Sequence, residues 1–260
     1  MTPNDPVPVV DAYWADLLGI RVSVLNAPAP SVYIDEGGIA PCIGVFRAGA
    51  WKLRLASHLA ASAGSLIAQL DACSAAYQAD DAAATATAHS AVQHTIARQI
   101  EAAVYGPSEL VYCARGAKRP TPPVAHRPIT PADGEAVRRF RDGMGGWLAW
   151  AGDAWPDDAA HEPGWARMIG HWEGDRLVAT AAAYVWHERI AELYVDTLPD
   201  WRGRGLATGL GGHITEWVHT HTPYVMQSGG EVTNIPSMRM SQRIGFSFYG
   251  MLVMTDLSRT

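Results

Sequence analysis

The chain has 260 residues, 48% hydrophobic and 18% charged, with a net charge of −6, which allows one or two domains with a sizeable core and excludes a broad basic surface for nucleic acid. Cys42, Cys73 and Cys113 stand alone, without a Cys-x-x-Cys pair, which argues for a reducing compartment and against a structural zinc. No run approaches the ~20 apolar residues of a membrane span, and Asp5, Asp11 and Asp16 stand where a signal peptide is basic, so a soluble cytoplasmic protein is expected.

Residues 6–18 read as a short amphipathic helix stopped by Gly19. Three strand candidates follow at 31–35, 42–47 and 51–55, with glycines at 37, 38, 44 and 49 marking turns or bulges. Residues 57–77 are alanine-rich and helical in propensity. Asp80 and Asp81 suit the cap of a second helix, on which Val92, Ile96, Ile100 and Val104 recur every four residues as one buried face. Gly106-Pro107 stops that helix, and 110–114 read as one more strand.

The composition then shifts. Residues 116–128 hold Pro120, Pro122, Pro123 and Pro128 among Lys118, Arg119 and Arg127, a stiff polar connector. It divides the chain into an N-terminal α/β lobe (1–115), a linker (116–128) and a second domain (129–260). That domain starts with a strand end and a helix over 133–142. Residues 143–162 are loop-like and carry Trp147, Trp150 and Trp155, with Trp165 just beyond. Strands at 167–172 and 176–186 pair around Glu173-Gly174-Asp175, a hairpin signal. A third strand (189–196), a helix (206–220), a strand (224–227), a helix (234–244) closed by Gly245 and a terminal strand (246–255) complete the order.

Between the third strand and its helix stands Trp201-Arg202-Gly203-Arg204-Gly205-Leu206-Ala207. Glycines at such a junction let backbone N–H groups surround an anion, and a helix start adds about half a positive charge. Two arginines add full charges, so the stretch suits a pyrophosphate. No Gly-Lys-Ser/Thr follows, which excludes a Walker A loop, and Thr208 stands where a dinucleotide fingerprint needs its third glycine. The pattern Arg202-x-x-Gly205-x-Ala207 resembles the pyrophosphate loop of the GNAT N-acetyltransferase superfamily. Asn234-x-x-Ser237…Gly245-Phe246 is similar to that family's Asn-x-x-Ala…Gly-Phe helix. By its own chemistry Asn234 is also a good helix N-cap, with Pro236 harmless in the first turn.

The resemblance runs from Val124 to the end of the chain. It implies an α/β (α+β) fold, a mixed and mostly antiparallel sheet flanked by helices, preceded by the smaller lobe. That lobe reads as a degenerate GNAT-like copy, an acceptor-pocket wall or an oligomer surface. The resemblance further implies acetyl-CoA as cosubstrate, held by Val195, Thr197, Arg202, Gly203, Arg204, Gly205, Leu206, Ala207, Asn234 and Ser237, and no metal. The implied reaction moves the acetyl group directly to the amine of a small molecule. Nucleic acid and membrane are not expected partners, and the expected state is a monomer or homodimer.

Such a transfer needs a base for the amine, polarisation of the thioester oxygen, and a departing thiolate. The resemblance assigns polarisation to backbone N–H groups at the splayed end of strand 193–197. Alternation puts Ile190, Glu192, Tyr194 and Asp196 on one strand face. Glu192 is the candidate base, the alternative being a solvated carboxylate, and Asp196 lies nearer the turn, where it suits holding an arginine. The family's tyrosine, four residues before the glycine, is here Ser241. Serine donates a hydrogen bond but is a weak acid, so Tyr249, Tyr194 and water stand beside it. Trp147 and Trp150, with Tyr194, are candidates for an acceptor wall, core packing being the alternative. Arg239 and Arg243, one turn apart, suit a 3′-phosphate or a plain helix face. His213, His219 and His221 lack metal-ligand spacing. Two further readings stay open: other acyl-CoA chemistry, such as decarboxylation or condensation, and a non-catalytic acyl-CoA-binding module.

Overall fold

The computed structural model describes residues 5–35, 41–100, 104–144, 165–187 and 189–255. Contacts divide the chain into two compact units. The first holds Tyr112–Ser228 and Arg239–Ser247 with Met1–Pro6, and the second holds Val7–Val111, Gly229–Met238 and Phe248–Thr260.

In the second unit, helix α1 (Val7–Leu18) buries Val10, Trp14 and Leu18, one face at four-residue spacing, and ends at Gly19 with φ +68°. A single turn, α2 (Val22–Leu25), leads to strands β1 (Ser31–Asp35), β2 (Cys42–Arg47) and β3 (Ala50–Ala56). Strands β2 and β3 form a hairpin whose two loop residues, Ala48 and Gly49, both have positive φ, the geometry that matches strand twist. β1 pairs with β3 in parallel, from Ser31↔Lys52 to Asp35↔Ala56, so the three strands are not a meander. A 3-10 segment (Ser57–Ser62) precedes α3 (Ala63–Gln78), so the alanine-rich stretch is not one continuous α-helix. α3 and α4 (Ala82–Ile100) place Leu66, Leu70, Cys73, Val92 and Ile96 against Trp51, Leu53 and Leu55 of β3.

Strand β4 (Val104–Cys113) corrects two expectations. Val104 opens the strand instead of closing the helical stripe, and Gly106-Pro107 lies inside the strand. Gly106 has φ +88°, and a Cβ there would stand 2.2 Å from the Leu252 carbonyl oxygen, so a glycine is required where the terminal strand comes close. That terminal strand, β10 (Ser247–Thr255), pairs antiparallel with β2 from Met251↔Phe46 to Met254↔Ile43. The terminal strand, from Phe248 on, thus belongs to the unit that begins at Val7.

The first unit contains β5 (Arg127–Pro128), α5 (Gly134–Gly143), β6 (Trp165–Glu173), β7 (Arg176–His187), β8 (Ile190–Thr197) and α6 (Leu206–His221), with the start of β9 (Val225–Glu231) and the end of α7 (Ile235–Ile244). Neighbouring strands run β9-β8-β7-β6-β5, antiparallel except for β8 and β9. This is the expected mixed, mostly antiparallel sheet flanked by helices. A capping box between Thr130 and Asp133 starts the turn into α5.

The proline-rich connector lies along α6. A Cβ on Gly209 would stand 2.3 Å from Val124 Cγ2, and one on Gly212 would stand 2.3 Å from Thr121 Oγ1. Two helix glycines are therefore needed for this close packing, despite their low helix propensity. At the other end of α6, Arg115 donates to the carbonyls of His219, Thr222 and Tyr224.

Candidate active site

β8 leads through Leu198 and a 3-10 turn (Pro199–Trp201) into the glycine loop. Arg202 is extended, and its Nε donates to the Thr197 carbonyl at 3.1 Å. Gly203 and Gly205 follow with φ +77° and +80°, a conformation that only glycine adopts readily. Gly205 is the N-cap of α6, and the first ladder bond runs from Gly209 N to Gly205 O at 2.9 Å. The amides of Leu206, Ala207 and Thr208 precede that ladder and sit at the positive end of the helix.

Space exists beside them. Among the described residues, a Cβ on Gly203 would meet nothing within 4 Å, and one on Gly205 only Pro122, at 3.6 Å. Arg202 and Arg204 are exposed, and Arg204 lies 4.2 Å over the Trp201 ring while donating to the Asp200 carbonyl. An anion such as a pyrophosphate fits this cradle.

The parallel register of β8 with β9 runs from Ile190↔Val225 to Glu192↔Gln227 and, among the described residues, is not continued from Leu193 onward. The edge of β8 between Leu193 and Thr197 is thus open toward β9 and points at the glycine loop. A Cβ on Gly211 would stand 3.3 Å from both Leu193 and Val195, so those two side chains face α6. Alternation places Glu192, Tyr194 and Asp196 on the opposite face.

Glu192 is 8% exposed, at the point where the pairing ends, and the Tyr194 hydroxyl donates to its Oε2 at 3.3 Å. Tyr184, the β7 partner of Glu192 in register, meets the Tyr194 ring edge-on at 6.4 Å. Burial pushes the Asp196 carboxyl up to about 6, against the opposing pull of Arg202. Its register partner Thr180 is buried, and among the described residues its hydroxyl and that of Thr197 find no hydrogen-bond partner.

Ser241 is buried, its hydroxyl 3.1 Å from that of Ser228 on β9. Ser228 follows Gln227 and so belongs to the α6 side of the sheet, opposite Glu192. The Gly245-Phe246 landmark closes α7: both amides donate to the Ser241 carbonyl, and a Cβ on Gly245 would stand 2.4 Å from the Ala117 carbonyl oxygen.

Asn234 and Ser237 fall in the second unit, where Asn234 Oδ1 accepts the Ser237 amide at 3.3 Å as an N-cap. Tyr249 also belongs there. It is 4% exposed, donates its hydroxyl proton to Asp11 Oδ1 at 2.8 Å and carries the Arg47 guanidinium over its ring at 4.2 Å. Burial and the Asp11 carboxylate hold its phenol well above the usual tyrosine range. A proton so committed makes Tyr249 a poor general acid. Trp147, Trp150 and Trp155 lie outside the described residues. Arg239 and Arg243 are exposed on α7.

Sequence reading missed Gln227 and Tyr112. Gln227 is 5% exposed, and its Oε1 accepts the hydroxyl proton of Tyr112. Only their pairing across 115 positions gives them meaning, and no local pattern marks it.

Residues 138–246 match the model of the Acetyltransferase (GNAT) family. Among solved structures, the chain is similar to a GNAT-family acetyltransferase from Colwellia psychrerythraea (15% identity, 59% of this chain and 57% of that one, TM-score 0.49). It is also similar to a GCN5-related N-acetyltransferase from Kribbella flavida (20% identity, 57% of each chain, TM-score 0.42). A third is an aminoglycoside N-acetyltransferase solved in complex with CoA (20% identity, 48% of this chain and 88% of that one, TM-score 0.38). The chain thus spans less than two thirds of the length of the Colwellia and Kribbella proteins. No curated protein matches it.

Proposed function

We propose that the protein is an acetyl-CoA-dependent N-acetyltransferase acting on the amine of a small molecule. The observation that carries this reading is the open edge of β8, which starts at the buried carboxylate of Glu192 and ends in the glycine-capped start of α6. One end suits a base beside a reacting thioester, and the other suits a pyrophosphate.

Acetyl-CoA, when bound, supplies the thioester. Gly203, Gly205 and the amides of Leu206 and Ala207, with Arg202 and Arg204, receive its pyrophosphate. Val195 and Thr197 hold the arm through their backbone. Backbone N–H groups along 193–197 polarise the thioester oxygen, an effect that preorganised donors make large. Glu192 takes the proton of the acceptor ammonium. The departing thiolate takes its proton from water, and Tyr194 lines the acceptor side beside Glu192. A cytoplasmic location agrees with three free, buried cysteines.

Incubation with acetyl-CoA, a thiol reagent and a panel of amines tests the reading: amine-dependent release of free CoA is expected. Binding is tested separately with Gly205→Glu, which forces a side chain into positive φ and adds a negative charge at the cradle. Its acetyl-CoA dissociation constant should rise by at least about a hundredfold, and unchanged calorimetric affinity in a folded variant would place the coenzyme elsewhere.

A further inference from the structure

The pairing of β8 with β9 ends at Glu192↔Gln227, so these two side chains stand beside each other on one face of the sheet. β9 lies between β8 and β4 in strand order. Tyr112, near the end of β4, gives its hydroxyl proton to Gln227 Oε1. A carboxamide carries its oxygen and its NH2 group on opposite sides of one carbon. With the oxygen taken by Tyr112, the NH2 group is the end of the amide left to serve the Glu192 carboxylate, its neighbour in register. All three groups are under 10% exposed: Tyr112 4%, Gln227 5% and Glu192 8%.

We propose that Tyr112 and Gln227 are positioning residues for Glu192. The phenol fixes the orientation of the Gln227 amide, and the amide presents an N–H to the carboxylate that accepts the substrate proton. Tyr194 supplies a second donor, at 3.3 Å. A flipped amide would set its oxygen against the carboxylate, and in a buried setting that repulsion is little screened. The Tyr112 hydroxyl prevents the flip. Tyr112 lies outside the segment that matches the GNAT family, residues 138–246. The N-terminal part of this chain therefore contributes a group to the site that the family segment alone lacks.

This inference rests on Glu192 being the base of the proposed acyl transfer, so its test has one arm that needs no turnover. In the folded protein, the Gln227 side-chain amide signals, identified by their loss in Gln227→Leu, should exchange slowly with solvent deuterium. Exchange should speed up at least about tenfold in Tyr112→Phe and again in Glu192→Ala, since each removes one anchor of the amide. Unchanged exchange in either variant overturns the arrangement, whether or not any amine is acetylated.

The second arm is kinetic. With an amine that the wild type turns over, Tyr112→Phe should lower kcat by about tenfold and leave the KM for acetyl-CoA unchanged. In a Glu192→Gln background the same substitution should change nothing further, because Tyr112 acts only through that carboxylate. Equal losses in both backgrounds would mean that Tyr112 merely supports the fold. Gln227→Leu carries the same comparison if Tyr112→Phe does not fold. Failure of the wild type to acetylate any amine would count against the acyl-transfer reading, while the exchange arm still decides the geometry.

Discussion

Arg202 Nε donates to the Thr197 carbonyl at 3.1 Å, so the first residue of the glycine loop is tied back to the last residue of the strand it leaves. The same guanidinium opposes the burial that pushes the Asp196 carboxyl up to about 6.

That shift sets a pH dependence of stability. An aspartate ionises near 3.9 in the unfolded chain, so between about pH 4 and 6 the folded state keeps a proton that the unfolded state has lost. Stability contributed by Asp196 is therefore greatest in acid and falls until both states are ionised above about 6. Asp196→Asn should match the wild type near pH 4 and exceed it by about 1–3 kcal/mol at pH 8, read from urea unfolding. A gap independent of pH would show that Asp196 does not bear this burden.

Arg115 closes the C-terminal end of α6 by donating to the carbonyls of His219, Thr222 and Tyr224. Hydrogen bonds from a charged donor contribute more than neutral ones. Arg115→Ala should destabilise the first unit by about 2–4 kcal/mol in chemical unfolding. A change below about 0.5 kcal/mol would mean that water replaces the guanidinium.

Tyr249 and Asp11 form a buried pair in the second unit, with Arg47 completing the cluster at 3.6 Å from Asp11. Tyr249→Phe leaves Asp11 with one donor fewer and should cost about 1–3 kcal/mol of stability. Turnover measured well below the melting temperature should stay at the wild-type level. A large fall in kcat at unchanged stability would return Tyr249 to the list of acids.

Much of this architecture is legible from local pattern. The bounds of β1 and β2 follow from their apolar runs and flanking glycines, and the start of α6 follows from Gly205. Asn234 reads as an N-cap from its own side chain, and it is one. What escaped is non-local. Nothing near 247–255 says that this strand will pair with β2, some 200 positions earlier. The connector reads as a stiff polar linker because its prolines lack a donor and fix the backbone, which says nothing of what it packs against. Only α6, with glycines at 209 and 212, shows that the space beside it is made for Thr121 and Val124. In β4 the Gly106-Pro107 pair reads as a stop, whereas a close approach of Leu252 explains the glycine. Glu192 was visible through strand alternation. Gln227 and Tyr112 were not, because their meaning lies in sheet order.

The most direct measurement is kcat for the wild type and Glu192→Gln across pH, with two acceptor amines of different basicity. Glutamine keeps the shape of the side chain and removes its basicity. If Glu192 takes the proton, kcat falls by ~10²–10⁴ for the more basic amine and the acidic limb of its profile disappears. The less basic amine, which arrives largely neutral, loses less, and acetyl-CoA affinity stays nearly constant. Equal losses for both amines with the acidic limb intact, or no loss at all, would contradict a proton-accepting role for Glu192.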